Sequence, residues 1–421
     1  MDTRVRQPIW NRTLTWLDGV GRSAWRVGWP ATDKDRAAAM ISSLFLHIHA
    51  ARVSRHVLKP TATFALGLIS GILFVVLSVT GVALMLYYVP YPPEAYRSMK
   101  DLQFAVTFGI VLRNMHRWSA HAMVVVVFLH MCRVFWTGSY KPPREFNWVI
   151  GVLLFLLTLG LSFTGYLLPW DQLAFWAITV GTNIAAYGPV IGDQVKFLLL
   201  GGHVIGPITL LRFYVLHCVM LPLAMLLLIS LHVWRVRKDG LSGGEVSTVP
   251  EEEVAGVFPA STKTYGLMAL SKRPRASVEA RDPNDEVFAW QHLLYRELLV
   301  ALAVIVALHV VSLMFTAPLE EIADPTRTPN PAKAPWYFLG LQELVHYSAL
   351  VGGVIVPTLL VATLLALPYF DRGKMGAGRW FAPERRLANA VFTVLVILSV
   401  GLTIVGTLFR GANWAWVWPW R

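Results

Sequence analysis

Residues 113–133 read RNMHRWSAHAMVVVVFLHMCR, and residues 212–235 read RFYVLHCVMLPLAMLLLISLHVWR. Both stretches are apolar and long enough to cross a lipid bilayer. Each carries two histidines: His116 and His130 in the first, His217 and His232 in the second. The separations are fourteen and fifteen residues. At about 100° per residue these offsets return to within about 40–60° of the starting direction, so each pair lies on one face of its helix. At 1.5 Å rise per residue, the two histidines of one helix stand about 21–23 Å apart. Two such helices, side by side and parallel, would hold two stacked metal sites. Neutral imidazole is a strong axial ligand for haem iron, and two imidazoles fill both axial positions. That arrangement favours electron transfer over oxygen chemistry. A lone histidine inside a membrane is more often a polar residue of the bundle interior, but four at matched spacing on two helices are not that pattern. His121 and His309 have no matching partners and read as packing or hydrogen-bonding residues.

The rest of the chain agrees with a membrane setting. With 55% hydrophobic and 15% charged residues, it has too little polar material to cover a soluble domain of this length. Seven stretches suit spanning helices: A (63–88), B (110–136), C (148–168), D (210–235), E (293–316), F (348–369) and G (390–410). The expected fold is therefore all-α and integral to the membrane, a four-helix bundle followed by three more spans. The net charge of +12 is distributed by topology. Arg and Lys crowd the N-terminal segment and recur after B (Arg133, Lys141, Arg144), after D (Arg235, Arg237, Lys238) and between F and G (Arg372, Lys374, Arg379, Arg385, Arg386). If the spans alternate, all these segments lie on one side, which places the N-terminus in the cytoplasm. The basic surplus then serves topology and lipid contact, not nucleic-acid binding. Alternation also makes B and D parallel, pairing His116 with His217 near the outer surface and His130 with His232 near the cytoplasmic one.

Four parts follow. Residues 1–60 form a basic amphipathic segment, with an interfacial helix expected over 37–50. Residues 61–240 form the four-helix domain, 241–290 a polar cytoplasmic connection, and 291–421 a three-helix domain. The Pro-rich stretch 317–335 should be an ordered outer loop. The two cysteines, Cys132 and Cys218, sit on different spans and read as packing residues. They offer no disulfide framework, and no Cys-x-x-Cys-His attachment for a c-type haem occurs. No cleavable signal peptide is expected, because the first long apolar run comes late.

Other residues suit a haem pocket. Arg113, Arg133 and Arg212 lie near the histidines, and arginine pairs bidentately with carboxylates such as haem propionates. Span A carries Gly67 and Gly81, and span C carries Gly151 and Gly165, both pairs again fourteen apart. Small residues at these places leave room for a flat macrocycle between helices.

With these motifs in place, the chain resembles the cytochrome b of quinol–cytochrome c oxidoreductases. The resemblance rests on Arg113-Asn-Met-His116-Arg-Trp-Ser-Ala, on Gly165-Tyr-Leu-Leu-Pro-Trp-Asp-Gln172, and on Arg212-Phe-Tyr-Val-Leu-His217 with Pro222 beyond. The fifteen-residue spacing in D and the tail Arg237-Lys-Asp-Gly240 are similar to the chloroplast-type branch, in which a four-helix cytochrome b and a three-helix subunit IV are separate chains. Here both halves stand in one chain, with Asp282-Pro-Asn-Asp-Glu-Val-Phe-Ala-Trp290 opening the second.

The resemblance implies two b-type haems in a bacterial inner-membrane complex. It implies quinol oxidation at the outer side, with one electron passing to a Rieske iron–sulfur protein. The other crosses through the two haems to a cytoplasmic-side quinone near Arg237 and Asp239, and protons are released outside. A cytochrome c-type subunit and a homodimeric complex are the further partners it implies.

Two departures stand out. The chloroplast-type branch tethers an extra haem to a cysteine where this chain has Ala65, so no covalent haem is expected. The family's quinol-oxidation motif is Pro-Glu-Trp-Tyr, but this chain reads Ala334-Pro335-Trp336-Tyr337. The carboxylate is gone, and Glu343, or failing that His346, is expected to replace it beside Trp336 and Tyr337. A rival reading is a di-haem membrane anchor serving a dehydrogenase or reductase. Residues 317–347 argue against it, because such an anchor lacks the second block. A transporter would show broken helices and carboxylates at mid-depth, neither of which is read in A to D.

Overall fold

The computed structural model describes residues 9–24, 30–43, 45–241, 286–373 and 376–420. The connection expected over 241–290 therefore lies outside the described residues apart from its two ends. Two helices precede the spans, α1 (Ile9–Ala24) and α2 (Asp33–Ser42). Next come α3 (Leu66–Met85), α4 (Glu94–Phe104), α5 (Gly109–Trp136), α6 (Glu145–Leu167), α7 (Gln172–Ala186), α8 (Gly192–Leu200) and α9 (Pro207–Asp239). The second half holds α10 (Leu294–Met314), α11 (Trp336–Tyr347), α12 (Val351–Phe370) and α13 (Pro383–Leu408).

Seven of these are long and apolar enough to cross a membrane, and they fall on spans A to G. Their outward faces remain apolar, as at Val79, Leu227, Leu359 and Ile397, which suits lipid contact. The helix expected over 37–50 is not continuous. The chain leaves α2 after Ser42 and makes only a short 3-10 turn over Leu46–Ile48. The amphipathic helix is instead α1, with Trp10, Leu14, Leu17 and Val20 exposed.

α3 packs along α5, α6 along α9, and α5 against α6, which makes the expected bundle. The second half is laid on this bundle, α10 against α5 and α12 against α6, while α11 packs on α13 within that half. A two-stranded antiparallel sheet, β1 (Arg52–Ser54) with β2 (Glu286–Phe288), adds a tie that periodicity did not reveal.

Helix α9 is interrupted by a π turn over Leu216–Met220, closed by the Leu221 N–H donating to Leu216 O. Pro222 has no N–H to donate to the carbonyl of Cys218, so a wider turn costs little here. The loop joining α10 to α11 is ordered. Asp171 caps α7 by accepting from Ala174 N at 2.9 Å and also takes Glu320 N at 3.2 Å. Gln172 N donates to Glu321 O and Ala323 N to Trp170 O, so the loop is fastened across the bundle's end.

Candidate haem sites and an adjoining cavity

The four histidines meet in the expected pairs. The His116 and His217 rings have centroids 6.3 Å apart, and the His130 and His232 rings 6.5 Å apart. Two imidazoles bound on opposite sides of one metal, each nitrogen about 2 Å from it, put their ring centres about 6 Å apart. Among the described residues no group of three or more His, Cys, Asp or Glu gathers around a possible metal site. Two-imidazole sites therefore need a metal whose other ligands come from elsewhere, as a macrocycle supplies them.

The pair at the Trp170 end has its chemistry fixed by two threonines. Thr80 Oγ1 donates to Val76 O and lies 2.9 Å from His116 Nδ1. Thr164 Oγ1 donates to Gly160 O and lies 3.1 Å from His217 Nδ1. A hydroxyl has one hydrogen, and here it goes to the carbonyl. Each threonine therefore accepts from Nδ1–H, which leaves Nε2 with its lone pair free for a metal. At the opposite end, His130 Nδ1 and His232 Nδ1 are buried without a partner among the described residues.

The glycines lie against the imidazoles. A Cβ on Gly67 would meet His130 Cε1 at 3.3 Å, and one on Gly81 would meet His116 Cε1 at 3.2 Å. Gly151 backs His232 at 3.7 Å, and Gly165 backs His217 so closely that a Cβ would overlap the ring. Each glycine thus lies against one imidazole.

The three expected arginines are otherwise engaged. Arg113 donates to Ala317 O at 2.8 Å and Pro318 O at 2.7 Å, and Arg133 donates to Ala62 O at 2.6 Å. Arg212 donates to Leu198 O and is not on the cavity wall. The sequence reading passed over Arg117. It lines the cavity, lies over the Tyr166 ring at 5.7 Å, and has a buried Nε without a partner.

That cavity opens beside the His116–His217 pair. His116, Gly81, Gly165, His217, Tyr337 and Ala317 are among its lining residues, as is Cys218. Tyr337 lies on this wall. Glu343 does not. Its side chain is 1% exposed, and its two oxygens accept from Arg410 Nε and Nη2, each at 2.9 Å. It is not among the cavity-lining residues. The expectation that it stands beside the cavity as a free base is corrected: α11 turns it toward the end of α13, where Arg410 neutralises it. His346 packs near Trp414, also away from the cavity. The side chain that takes the place beside Trp336 and Tyr337 is His121.

Residues 48–240 match the family described as Cytochrome b/b6/petB, and residues 322–418 match Cytochrome b(C-terminal)/b6/petD. Cytochrome b6 of Heliobacterium mobile is 44% identical over 179 residues, 42% of this chain and 84% of that protein. The chain belongs to the cytochrome b/b6 family. As a cytochrome b, it is a b-type haem protein. A further relative of this cytochrome b is the menaquinol:cytochrome c reductase cytochrome b subunit of Bacillus subtilis (strain 168). It is 49% identical over 166 residues, 39% of this chain and 74% of that protein. Among solved structures, a chain of a hyperthermophilic respiratory Complex III matches with a TM-score of 0.69 and 25% identity, over 85% of this chain and 86% of that one.

At the other end of the cytochrome b bundle, Asp239 is paired with Arg235 at 2.8 Å on the preceding turn. Arg237 makes no ion pair or hydrogen bond among the described residues.

Proposed function

We propose that this chain is the di-haem cytochrome b of a quinol:cytochrome c reductase. His116 and His217 hold one haem near the outer surface, and His130 and His232 hold the other near the cytoplasmic one. The observation that carries the reading is the pair of imidazole pairs, each backed by two glycines at the opposite faces of the bundle. Held there by the four histidines, b-type haems would supply one-electron transfer.

The chain's own residues do the rest. Thr80 and Thr164 hold Nδ1–H of the outer ligands, so Nε2 faces the metal position. Arg117, the arginine on the wall with an unpartnered nitrogen, is offered to a propionate. Quinol binds in the cavity against Tyr337, under the loop fastened by Asp171. One of its electrons leaves to a Rieske partner, and the other crosses to a quinone on the cytoplasmic side. Arg237 is the group offered to that quinone, since Asp239 is already neutralised by Arg235. Protons released at the cavity leave outside, and this couples the reaction to a proton gradient. The positive-inside pattern supports a cytoplasmic N-terminus in a bacterial inner membrane, with a homodimeric complex around it.

Haem content of the purified complex tests this. We expect two b haems per chain, and one in each of His217→Leu and His232→Leu, with quinol:cytochrome c reduction lost in both. One haem in the parent, or two in either variant, would sink the reading.

A further inference from the structure

His121 follows His116 by five residues on α5, about 140° around the helix from it, and so faces a different neighbour. That neighbour is the start of α11. The His121 ring lies 5.4 Å from Trp118, 6.4 Å from Trp336 and 5.6 Å from Tyr337, centre to centre. The Trp336 indole Nε1–H donates to His121 Nδ1 at 2.9 Å. An indole nitrogen can only donate. Nδ1 therefore carries no hydrogen, and the neutral ring holds its hydrogen on Nε2. That Nε2 is buried and has no partner among the described residues, while His121 itself belongs to the cavity wall with Arg117 and Tyr337. A buried donor without an acceptor is uncommon and calls for one.

We propose that His121 Nε2–H is the hydrogen-bond donor that holds an oxygen of the quinol in this cavity. The proposal rests on reading the cavity as the quinol site. The quinol oxygen carries partial negative charge, and a fixed N–H in a water-poor site stabilises that charge. The role is binding and charge stabilisation, not proton acceptance, because Nε2 already carries its hydrogen. Trp336 is the positioning residue, since its indole fixes the tautomer. The donor comes from a different helix than Trp336 and does not take over the proton-accepting role of the missing carboxylate.

The test uses the purified whole complex and a reduced short-chain quinone as substrate. His121→Leu is expected to raise KM for the quinol roughly tenfold, in line with loss of one hydrogen bond, with both haems retained. His121→Gln keeps an N–H at similar reach and should recover most of the affinity. The infrared carbonyl band of a carbon-13-labelled quinone should move to higher frequency in the leucine variant. An unchanged KM and an unchanged band would overturn the proposal while leaving the quinol site standing. A parent complex that neither oxidises quinol nor binds the labelled quinone would overturn the site itself. If the leucine variant loses haem, the comparison of His121→Gln with the shorter His121→Asn decides. A higher KM for asparagine supports the donor, and equal values overturn it.

Discussion

The four glycines of the bundle do not stand equally close to the rings they back. A Cβ on Gly151 would sit at an ordinary 3.7 Å from His232 Cε1, but one on Gly165 would overlap the His217 ring, with Nδ1 and Nε2 each at 3.0 Å. The His217 ring is held by Thr164 and cannot swing away without breaking that hydrogen bond. Gly165→Ala should therefore lose the outer haem, dropping the content from two per chain to one, and Gly151→Ala should keep both. Haem titration of the two variants checks this, and equal behaviour would mean that the glycines act only as general small residues. The histidine pairs and the glycines behind them were legible in the sequence because their spacing is set within single helices. The partners of the charged residues were not. Arg113 meets Ala317, and Glu343 meets Arg410, across folds of the chain that no local pattern encodes. His121 reads in the sequence only as a packing or hydrogen-bonding residue, and it is the arrival of Trp336 from another helix that names its partner.

Among the elements, α9 poses the question of register. Its two ligands are fifteen residues apart, and those of α5 are fourteen. The π turn over Leu216–Met220 absorbs one residue, which brings the two helices back into step. The sequence spacing alone gives a wider angular offset in this helix, and Pro222 just beyond the π turn lacks the N–H that a regular turn would use. It follows that the extra residue is dispensable if the proline goes with it. Deleting Val219, which is exposed on the lipid side, together with Pro222→Leu should give a regular helix with both haems in place. Inserting one alanine after Met220 in the parent should cost one haem. Difference spectra decide, and loss of a haem in the deletion variant would show that the π turn does more than restore register. The seven spans were readable because each is a long, mainly apolar run. The β1–β2 pair was not, since three-residue strands carry no usable periodicity.

At the scale of the whole molecule, the two halves are joined by far more than the peptide chain between them. Arg113 and Asn114 of the first half bond the backbone of Ser312, Ala317 and Pro318 in the second. Trp148 Nε1 donates to Leu364 O at 2.6 Å, and Arg385 donates to Phe135 O at 2.9 Å. Asp371, just beyond α12, meets Lys141 at 2.9 Å and takes the Tyr140 hydroxyl. Each such buried bond contributes on the order of 1 kcal/mol, and α10 and α12 add apolar packing against α5 and α6. The Heliobacterium mobile relative is matched over 84% of its own length but only 42% of this chain, so it stands without a counterpart to much of this one. Residues 1–250 and 270–421, made as two polypeptides, should therefore co-purify one to one with two haems. Acid should not part them at ordinary pH. Partial burial pushes the Asp371 carboxyl up, but Tyr140, Lys141 and Arg385 outweigh it and hold it below its ordinary 3.8. Its contribution is then complete above that value and is lost only as the pH falls through the lower folded one. Separation of the two polypeptides in mild detergent at pH 7 would show that the covalent connection, rather than these contacts, keeps the second half on the bundle.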